Sequence, residues 1–552
     1  MSSYGPRAGD IVTLGGTGLQ LHIDERVDDQ YDEFRVGFAK TGRDGIGLKS
    51  IATHDSCDLL LSNAIVLDPI DGVRVASIGF RDGRICGIGK AGNPDTTHGV
   101  DIVVGSGTVV IDADGLIATP GGIDTHVHSL SPRVFNSLIS SGITTVIAQE
   151  TGPVWGVGIG SRALLHQAYR AMDNFPLNIG ILGRGSTSAD VVTREAILAH
   201  VCGFKVHEDT GTTLRTLDTA LRAADFADVQ VAVHTDSLNE SLSVADTIAV
   251  LDGRVVHAYH VEGCGGGHTP DVLQLAGHDN ILASSTNPTL PYGINAIDEH
   301  LDMIMLTHGM NAHRESDIRI AQARVRATTM AAENQLHDRG VIPITSSDAQ
   351  GMGRAGETWW RTFALASVLR PDPTDSTRRD NERILRYLAK ITINPALAHG
   401  LSHEIGRISE GYLGDVVLWQ PERFAATPQL ILKSGFPTWG QTGDPNASID
   451  SAEPLITAEQ FGAYAAAPSD LSFLLSNAVA IAEGPPPTHR RAMAVRGCRT
   501  VRNADMIRHG ESGPVEVVTS LGSNPQPVVR WRGEELTMQP VEHTPLSRLH
   551  FW

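Results

Sequence analysis

The stretch Gly203-Phe204-Lys205-Val206-His207-Glu208-Asp209 sets the interpretation of the whole chain. The apolar run 201–204 leads into Lys205, so we expect a strand that buries this lysine. Lys205 and His207 are two residues apart, which places both side chains on one strand face. A buried, unpaired lysine is costly, whereas a lysine amine that has captured carbon dioxide is an anionic carbamate able to bridge two cations. Buried lysines lose their proton readily, as this capture requires.

Histidines and an aspartate close other apolar runs on both sides of this stretch. Asp124-Thr125-His126-Val127-His128 precedes it and puts two imidazoles on one strand face. His234, His260 and Asp348 follow it, each at the end of an apolar run. Taken singly, these histidines are typical of satisfied core residues and Asp348 of a helix N-cap. Together they are ligand types that bind borderline divalent cations, and they predict a metal centre.

The runs that end in these residues belong to a regular alternation. Short apolar strands, such as 142–148 and 229–234, alternate with helical stretches such as 162–173 and 214–227. This alternation predicts a parallel sheet, and the number of units predicts an α/β fold with a (β/α)8 TIM-type barrel over residues 119–403. A barrel of this kind carries its site at the C-terminal ends of its strands, where the candidate ligands fall.

The sequence on either side of the barrel is rich in β signals. Residues 1–118 contain the apolar run 59–67 and the turn signals Asp71-Gly72 and Asp82-Gly83. Because the β pattern returns at 414–419, we predict one β-rich domain made of residues 1–118 and 404–455. Residues 456–552 are predicted to form a mixed α/β C-terminal extension.

Composition limits the classes of function. The chain has 552 residues and a net charge of −19, which disfavours nucleic acid and anionic membrane as partners, although general solubility explains this charge equally well. The five cysteines are an odd, scattered set without a CxxC pair, which is typical of reduced thiols. The start, MSSYGPRAGD, lacks a secretory signal, and apolar runs are too short for a membrane span. We therefore expect a cytoplasmic protein.

Two cations about 3.5–4 Å apart would indicate a metal-assisted hydrolysis. Water held between them becomes a hydroxide nucleophile near neutral pH, and one ion polarises a substrate carbonyl. His207 is the candidate for hydrogen-bonding the substrate oxygen, and His308 is the candidate general acid for the leaving amine. The glycine-rich 263–268 lacks the GK[ST] of a nucleotide-binding loop, so nucleotide binding is not predicted.

Long strings of the sequence resemble one known family, the catalytic (alpha) subunit of urease, within the metal-dependent amidohydrolase superfamily. The resemblance covers nearly the whole chain. The strings that carry it are residues 87–95, 121–128, 205–209, 234–240, 259–263, 284–289, 298–303 and 444–448.

The resemblance implies two Ni²⁺ ions bridged by carbamylated Lys205. The implied ligands of one ion are His126, His128, Lys205 and Asp348, and those of the other are Lys205, His234 and His260. The other implied roles belong to His207 (substrate oxygen), His308 (general acid), Arg324 (support of His308), Asp209 (a carboxylate behind the histidine site), and Gly265 and Gly351 (backbone facing substrate nitrogens).

The pocket wall departs from the family pattern while the ligand set is intact. Thr307 replaces a cysteine, Thr210 replaces a tryptophan, the segment 152–160 is shortened, and 129–132 lacks the usual aromatic-containing, cysteine-proline stretch. Three hypotheses follow. The chain hydrolyses urea to ammonia and carbamate; or it applies the same mechanism to another urea-like amide, carbamate or guanidine; or it is a catalytically silent assembly subunit, against which the complete ligand set argues.

Family precedent also implies partners. The resemblance implies beta and gamma type subunits as separate chains, accessory proteins that insert nickel and deliver carbon dioxide, and a homotrimeric assembly.

Overall fold

The computed structural model describes residues 5–27, 33–151, 158–207, 212–234, 244–264, 270–372, 375, 377–448, 452–510, 513–519 and 526–544. Within these ranges, no helix combines the length and the apolar character needed to cross a membrane.

The N-terminal part is built from β-strands that pair both antiparallel and parallel. Its strands are β1 (Ile11–Leu14), β2 (Leu19–His22), β3 (Glu25–Arg26), β4 (Leu59–Asp68), β5 (Gly72–Arg81), β6 (Arg84–Gly89), β7 (Ala91–Gly92), β8 (Ile102–Val103), β9 (Val109–Asp112) and β10 (Ile117–Pro120). The β5–β6 turn, Asp82-Gly83, has positive φ at both residues (50° and 79°), as a type I′ hairpin turn requires. The hairpin signal in the sequence is therefore present in the structure.

The middle of the chain forms the predicted (β/α)8 barrel. Its described strands run parallel in sequence order: β11 (Gly122–Ser129), β12 (Ile143–Thr151), β13 (Asn178–Arg184), β14 (Gly203–Val206), β15 (Gln230–His234), β16 (Val256–Tyr259), β17 (Ile281–Thr286) and β18 (Ile344–Ser346). The two ends of this sheet meet where the His128 amide donates to the Ala349 carbonyl (2.9 Å), just beyond β18. The barrel is thus nearly closed.

Helices connect and surround these strands. They are α1 (Arg133–Ser140), α2 (Arg162–Ala171), α3 (Asp190–Leu198), α4 (Leu214–Ala227), α5 (Val244–Leu251), α6 (Ala296–Thr307), α7 (Glu315–Arg324), α8 (Ala327–Asp338), α9 (Thr358–Val368), α10 (Asn381–Ala389) and α11 (Ile393–Ala398). Between β17 and β18 the chain makes three helices rather than one. The α6–α7 pair, which we call the flap (residues 296–324), has its own small apolar cluster with Tyr292, Ile304 and Met330, apart from the main core.

A second sheet joins the start of the chain to the segment after the barrel. Strands β19 (Val416–Trp419), β20 (Leu430–Lys433), β21 (Phe436–Thr442) and β22 (Ile456–Glu459) continue it, in the order β22-β21-β20-β19-β10-β4-β5-β3. Strand β10 pairs antiparallel with β19 and parallel with β4, so two distant segments share one sheet. The domain limits at residues 118, 403 and 455 stay a prediction.

The C-terminal part is spread over the barrel surface. Its elements are α12 (Ala467–Leu471), β23 (Phe473–Ser476), α13 (Ala478–Glu483), β24 (Arg491–Ala494), β25 (Val515–Thr519), β26 (Pro527–Trp531) and β27 (Glu534–Glu535). Strand β23 pairs with barrel strand β13 and carries β24, whereas β25, β26 and β27 form a separate antiparallel sheet.

A buried polar cluster ties these parts together. The Asp415 carboxylate, next to β19, accepts hydrogen bonds from the Asn178 side chain of β13 (3.0 Å) and the Ser434 amide (2.9 Å), and it pairs with buried Lys433. Asn178 in turn accepts from the Phe473 amide at the start of β23 (3.0 Å). The barrel is therefore fixed to the second sheet and to the C-terminal segment at the N-terminal ends of its strands.

Candidate metal centre

All six predicted ligands lie at one end of the barrel, at or just beyond the C-terminal ends of its strands. His126 and His128 end β11, Lys205 lies on β14, His234 ends β15, His260 follows β16, and Asp348 follows β18. Their exposed fractions are 6% or less. Period-two alternation on β11 turns both histidines of the HxH pair into the barrel.

These side chains form two overlapping sets of metal-type donors. Donor atoms of His126, His234 and His260 lie within 4.8 Å of one another, and so do those of His126, His128 and Asp348. Asp348 Oδ1 lies 3.2 Å from His126 Nε2 and 3.1 Å from His128 Nε2, and its Oδ2 lies 3.7 Å from His260 Nε2. The geometry puts His126 in both sets, whereas the family pattern assigns it to one ion.

The backbone at two of these residues is strained. His260 and Asp348 have φ of 54° and 53°, the left-handed region that non-glycine residues rarely occupy. Such conformations cost of order 1–3 kcal/mol and cluster at functional sites. At both positions the chain turns directly after a barrel strand, which brings the side chain back over the strand ends.

The electrostatics of the centre suit cations. Burial lowers the pKa of His126 well below its usual value, and the neighbouring cationic groups add to this effect. Burial opposes charge on His128 as well, but the Glu150 and Asp348 carboxylates raise the pKa of His128 to about 9. Burial would raise the pKa of Asp348, yet the His128 hydrogen bond and nearby imidazoles lower it to about 2. The carboxylate is thus ionised, and imidazole nitrogens converge on it.

Two glutamates hold the outer nitrogens of the ligand histidines. Glu150 Oε1 lies 2.9 Å from His128 Nδ1, and Glu262 Oε1 lies 2.5 Å from His260 Nδ1. A carboxylate on Nδ1 fixes that nitrogen as the N–H and leaves Nε2 as the inward donor. Neither glutamate was predicted from the sequence; the available signal was their position, at the end of β12 and two residues after His260.

Lys205 is fully buried, as its sequence context predicts. Its Nζ lies 4.0 Å above the centre of the Tyr259 ring. The same ring stacks on His126 with centroids 4.0 Å apart, and its hydroxyl donates to the Thr125 carbonyl. Tyr259 therefore sets the position of both the lysine stem and one ligand imidazole.

A small cavity of about 20 Å³ opens over the donors. It is lined by His128, His207, His234, Thr307, His308, Asp348 and Met352. His207 packs against His234 with ring centroids 4.1 Å apart. His308 directly follows α6, and Arg324 Nη1 lies 2.8 Å from His308 Nε2.

The structure thus brings His207, His308 and Arg324 to the predicted centre. Gly351 also lies there, because its amide donates to the Asp348 carbonyl (3.0 Å) and a Cβ at this position would lie 2.4 Å from Asp348 Oδ1. Asp209, Gly265, Thr210 and residues 152–157 lie outside the described residues, so their predicted roles stay predictions.

Barrel and site together define the class of protein. The Amidohydrolase family model matches residues 117–441, more than half of the chain. A second model, the N-terminal domain of the urease alpha-subunit, matches residues 1–111.

Full-length relatives narrow this class further. Urease subunit alpha 1 of Streptomyces avermitilis is 52% identical over 100% of this chain and 99% of its own length. Urease subunit alpha 2 of Streptomyces coelicolor is 51% identical over 100% and 98%, and urease subunit alpha of Laribacter hongkongensis is 42% identical over 100% and 98%. The chain belongs to the urease alpha-subunit family of amidohydrolases.

Proposed function

We propose that this chain hydrolyses urea to ammonia and carbamate in the cavity above the barrel strand ends. The observation that carries the proposal is the pair of overlapping, buried donor sets directly beneath that cavity. Relatives 42–52% identical over the whole chain are named urease subunit alpha, which favours urea over the other candidate substrates. The complete donor geometry argues against a silent subunit.

We propose two Ni²⁺ ions as the cofactor, bridged by Lys205 in its carbamylated form. Imidazole nitrogens with one carboxylate suit nickel among the first-row metals, and the buried position of Lys205 favours the uncharged amine that reacts with carbon dioxide. When bound, such a pair of ions supplies Lewis acidity and lowers the pKa of water.

The side chains around the cavity would orient the substrate and move the proton. His207 would donate to the urea carbonyl oxygen, and the Gly351 backbone would face a substrate nitrogen, as would Gly265. His308 would give a proton to the leaving nitrogen, with Arg324 supporting its ring through Nε2. Asp209 would be a carboxylate behind the histidine site. The cavity, about 20 Å³, holds about one water molecule, so the preference for urea over substituted ureas rests on the relatives and not on the cavity volume.

We also propose the assembly that the family implies. It consists of separate beta and gamma type subunits, a homotrimer of the complex, and accessory proteins that insert nickel and carbon dioxide, in the cytoplasm.

Ammonia release tests the substrate assignment. The protein is produced with nickel and its maturation proteins, and urea is compared with N-methylurea, carbamate esters and guanidine. We expect release from urea and a loss of at least about a hundredfold in Asp348→Asn, because this change removes the carboxylate that faces three ligand imidazoles. Matured wild-type protein that released ammonia from another of these compounds but not from urea would overturn the assignment.

A further inference from the structure

Thr307 and His308 form a hydrogen-bonded array in which each donor and acceptor can be assigned. Arg324 Nη1 lies 2.8 Å from His308 Nε2, and Thr307 Oγ1 lies 3.1 Å from His308 Nδ1. A guanidinium carries only donors, so Nε2 of His308 must be the acceptor in this contact. In a neutral imidazole the ring proton is then on Nδ1 and points at the Thr307 hydroxyl.

The hydroxyl oxygen of Thr307 is free to accept a hydrogen bond from His308 Nδ1, because its own proton is used elsewhere. Its own proton is directed to the Met303 carbonyl one turn earlier in α6, at 2.8 Å. A hydroxyl has one proton and two lone pairs, so Thr307 donates to Met303 and accepts from His308. Each group therefore donates to the next: Arg324 to His308, His308 to Thr307, and Thr307 to the Met303 carbonyl.

We propose that Thr307 is a positioning residue that holds the Nδ1 proton of His308 and thereby leaves Nε2 as the nitrogen that takes up and releases the catalytic proton. This inference rests on the proposed role of His308 in the hydrolysis. In the proton transfer, the guanidinium of Arg324 first leaves Nε2, which then takes a proton from solvent, passes it to the departing nitrogen as the C–N bond breaks, and accepts from Arg324 again. Nδ1 keeps its proton throughout.

The same contact fixes the direction of the ring. His308 follows the last residue of α6 and is half-buried, so the orientation of its ring depends on its neighbours. Hydrogen bonds at both ring nitrogens restrain its rotation. Serine at position 307 would keep the hydrogen bond to Nδ1, whereas valine would remove it at nearly the same side-chain volume. The cysteine typical of the family would weaken this hydrogen bond, because a thiol is a weak acceptor.

Three variants and two measurements test the proposal. In the matured enzyme we expect kcat for urea to fall about tenfold in Thr307→Val with KM nearly unchanged, an intermediate loss in Thr307→Cys, and recovery in Thr307→Ser. Leu306→Ala is the control on the same helix, because this side chain is 82% exposed and does not line the cavity.

The second measurement does not depend on turnover. The rate at which diethylpyrocarbonate modifies His308, followed by peptide mass spectrometry, should rise in Thr307→Val and stay at the wild-type value in Thr307→Ser. Wild-type kcat and wild-type modification rate in Thr307→Val, or equal losses in the valine and serine variants, would overturn the role of Thr307. Absence of urea turnover in wild-type enzyme would instead contradict the proposed function, and the modification rates would still decide whether Thr307 holds the ring.

Discussion

At the scale of single residues, the centre depends on how its histidines are held. Glu262 fixes His260 through Nδ1, and the second oxygen of this carboxylate accepts from the Thr286 amide (2.9 Å) and hydroxyl (3.0 Å) of the neighbouring strand. The ring of His260 is fully buried and also packs against His126 and His234, with centroids 4.9 and 4.2 Å apart. An outer carboxylate of this kind is therefore part of the metal site.

Replacement of this carboxylate should weaken metal binding. We expect Glu262→Gln to lower metal affinity about 10–100-fold, because the amide donates as well as accepts and no longer favours the Nδ1–H form of His260. The measurement is metal content per chain after dialysis against a graded series of chelator concentrations. Glu299→Gln, an exposed position on α6, is the control. Equal metal retention in the two variants would contradict the role assigned to Glu262.

A buried lysine away from the centre predicts a dependence of stability on pH. Burial, assisted by the charge of Arg386, lowers the pKa of Lys390 from 10.5 to about 7. Between these values the unfolded chain binds a proton that the native chain does not, so the free energy of unfolding rises with pH across the interval, by up to about 1.4 kcal/mol per pH unit.

Lys390→Met should remove this rise. Between pH 7 and pH 10.5, we expect the thermal unfolding midpoint of the variant to change less with pH than that of wild type. Exposed Lys40→Met is the control and should keep the wild-type slope. Parallel profiles for wild type and Lys390→Met would show that Lys390 titrates normally in the folded chain.

The six predicted ligands could be picked out from the sequence because each ends or follows an apolar strand run, and their role as ligands stays a prediction. His126 and His128 follow from period two, and Lys205 from the apolar run before it. Glu150 and Glu262 could not be found in this way, because a carboxylate near a strand end has many other uses. Only the distances to His128 and His260 reveal their function.

At the scale of elements, the C-terminal segment is joined to the base of the flap. The Val541 amide donates to the Tyr292 carbonyl (3.0 Å), and the Ile294 amide donates to the Val541 carbonyl (3.1 Å), directly before α6. Met538 packs against the apolar cluster of the flap. His308 lies at the other end of α6, so this connection restrains the element that carries the proposed acid.

Loss of one of these hydrogen bonds should loosen the base of the flap. Val541→Pro removes the N–H that bonds to Tyr292, and we expect amide hydrogen exchange in residues 292–308 to become about fivefold faster, since a hydrogen bond contributes about 1 kcal/mol. Val541→Ala keeps the N–H and is the matched control. If the two variants exchange alike, the backbone pairing does not restrain the flap.

Helices and strands were predictable where the alternation of apolar strands and helical stretches was regular. The barrel follows from the strand–helix alternation and was confirmed, but the three helices between β17 and β18 were not foreseen. The pairing of β23 with β13 was also out of reach, because a short apolar strand such as Phe473–Ser476 does not specify its distant neighbour. Such pairing is decided by packing in the folded chain.

At the scale of the whole molecule, the regions that follow the barrel pack against the N-terminal ends of its strands, opposite to the site. Trp359 of α9 packs on Trp419 of β19, with centroids 4.9 Å apart, where barrel and second sheet meet. Together with the Asp415 cluster, this contact attaches the second sheet and the C-terminal segment to the barrel. The sequence predicted the two-segment sheet from the return of the β pattern, but not these contacts.

The central claim is that Lys205 and the four ligand histidines with Asp348 hold two metal ions. Anomalous diffraction at the nickel edge from crystals of the matured protein tests it most directly. We expect two peaks about 3.5–4 Å apart at the C-terminal ends of β11, β14, β15, β16 and β18, with density for a carbamate on Lys205 between them. A matured, urea-hydrolysing protein with no metal at these residues, or with a single ion and an unmodified lysine, would contradict it.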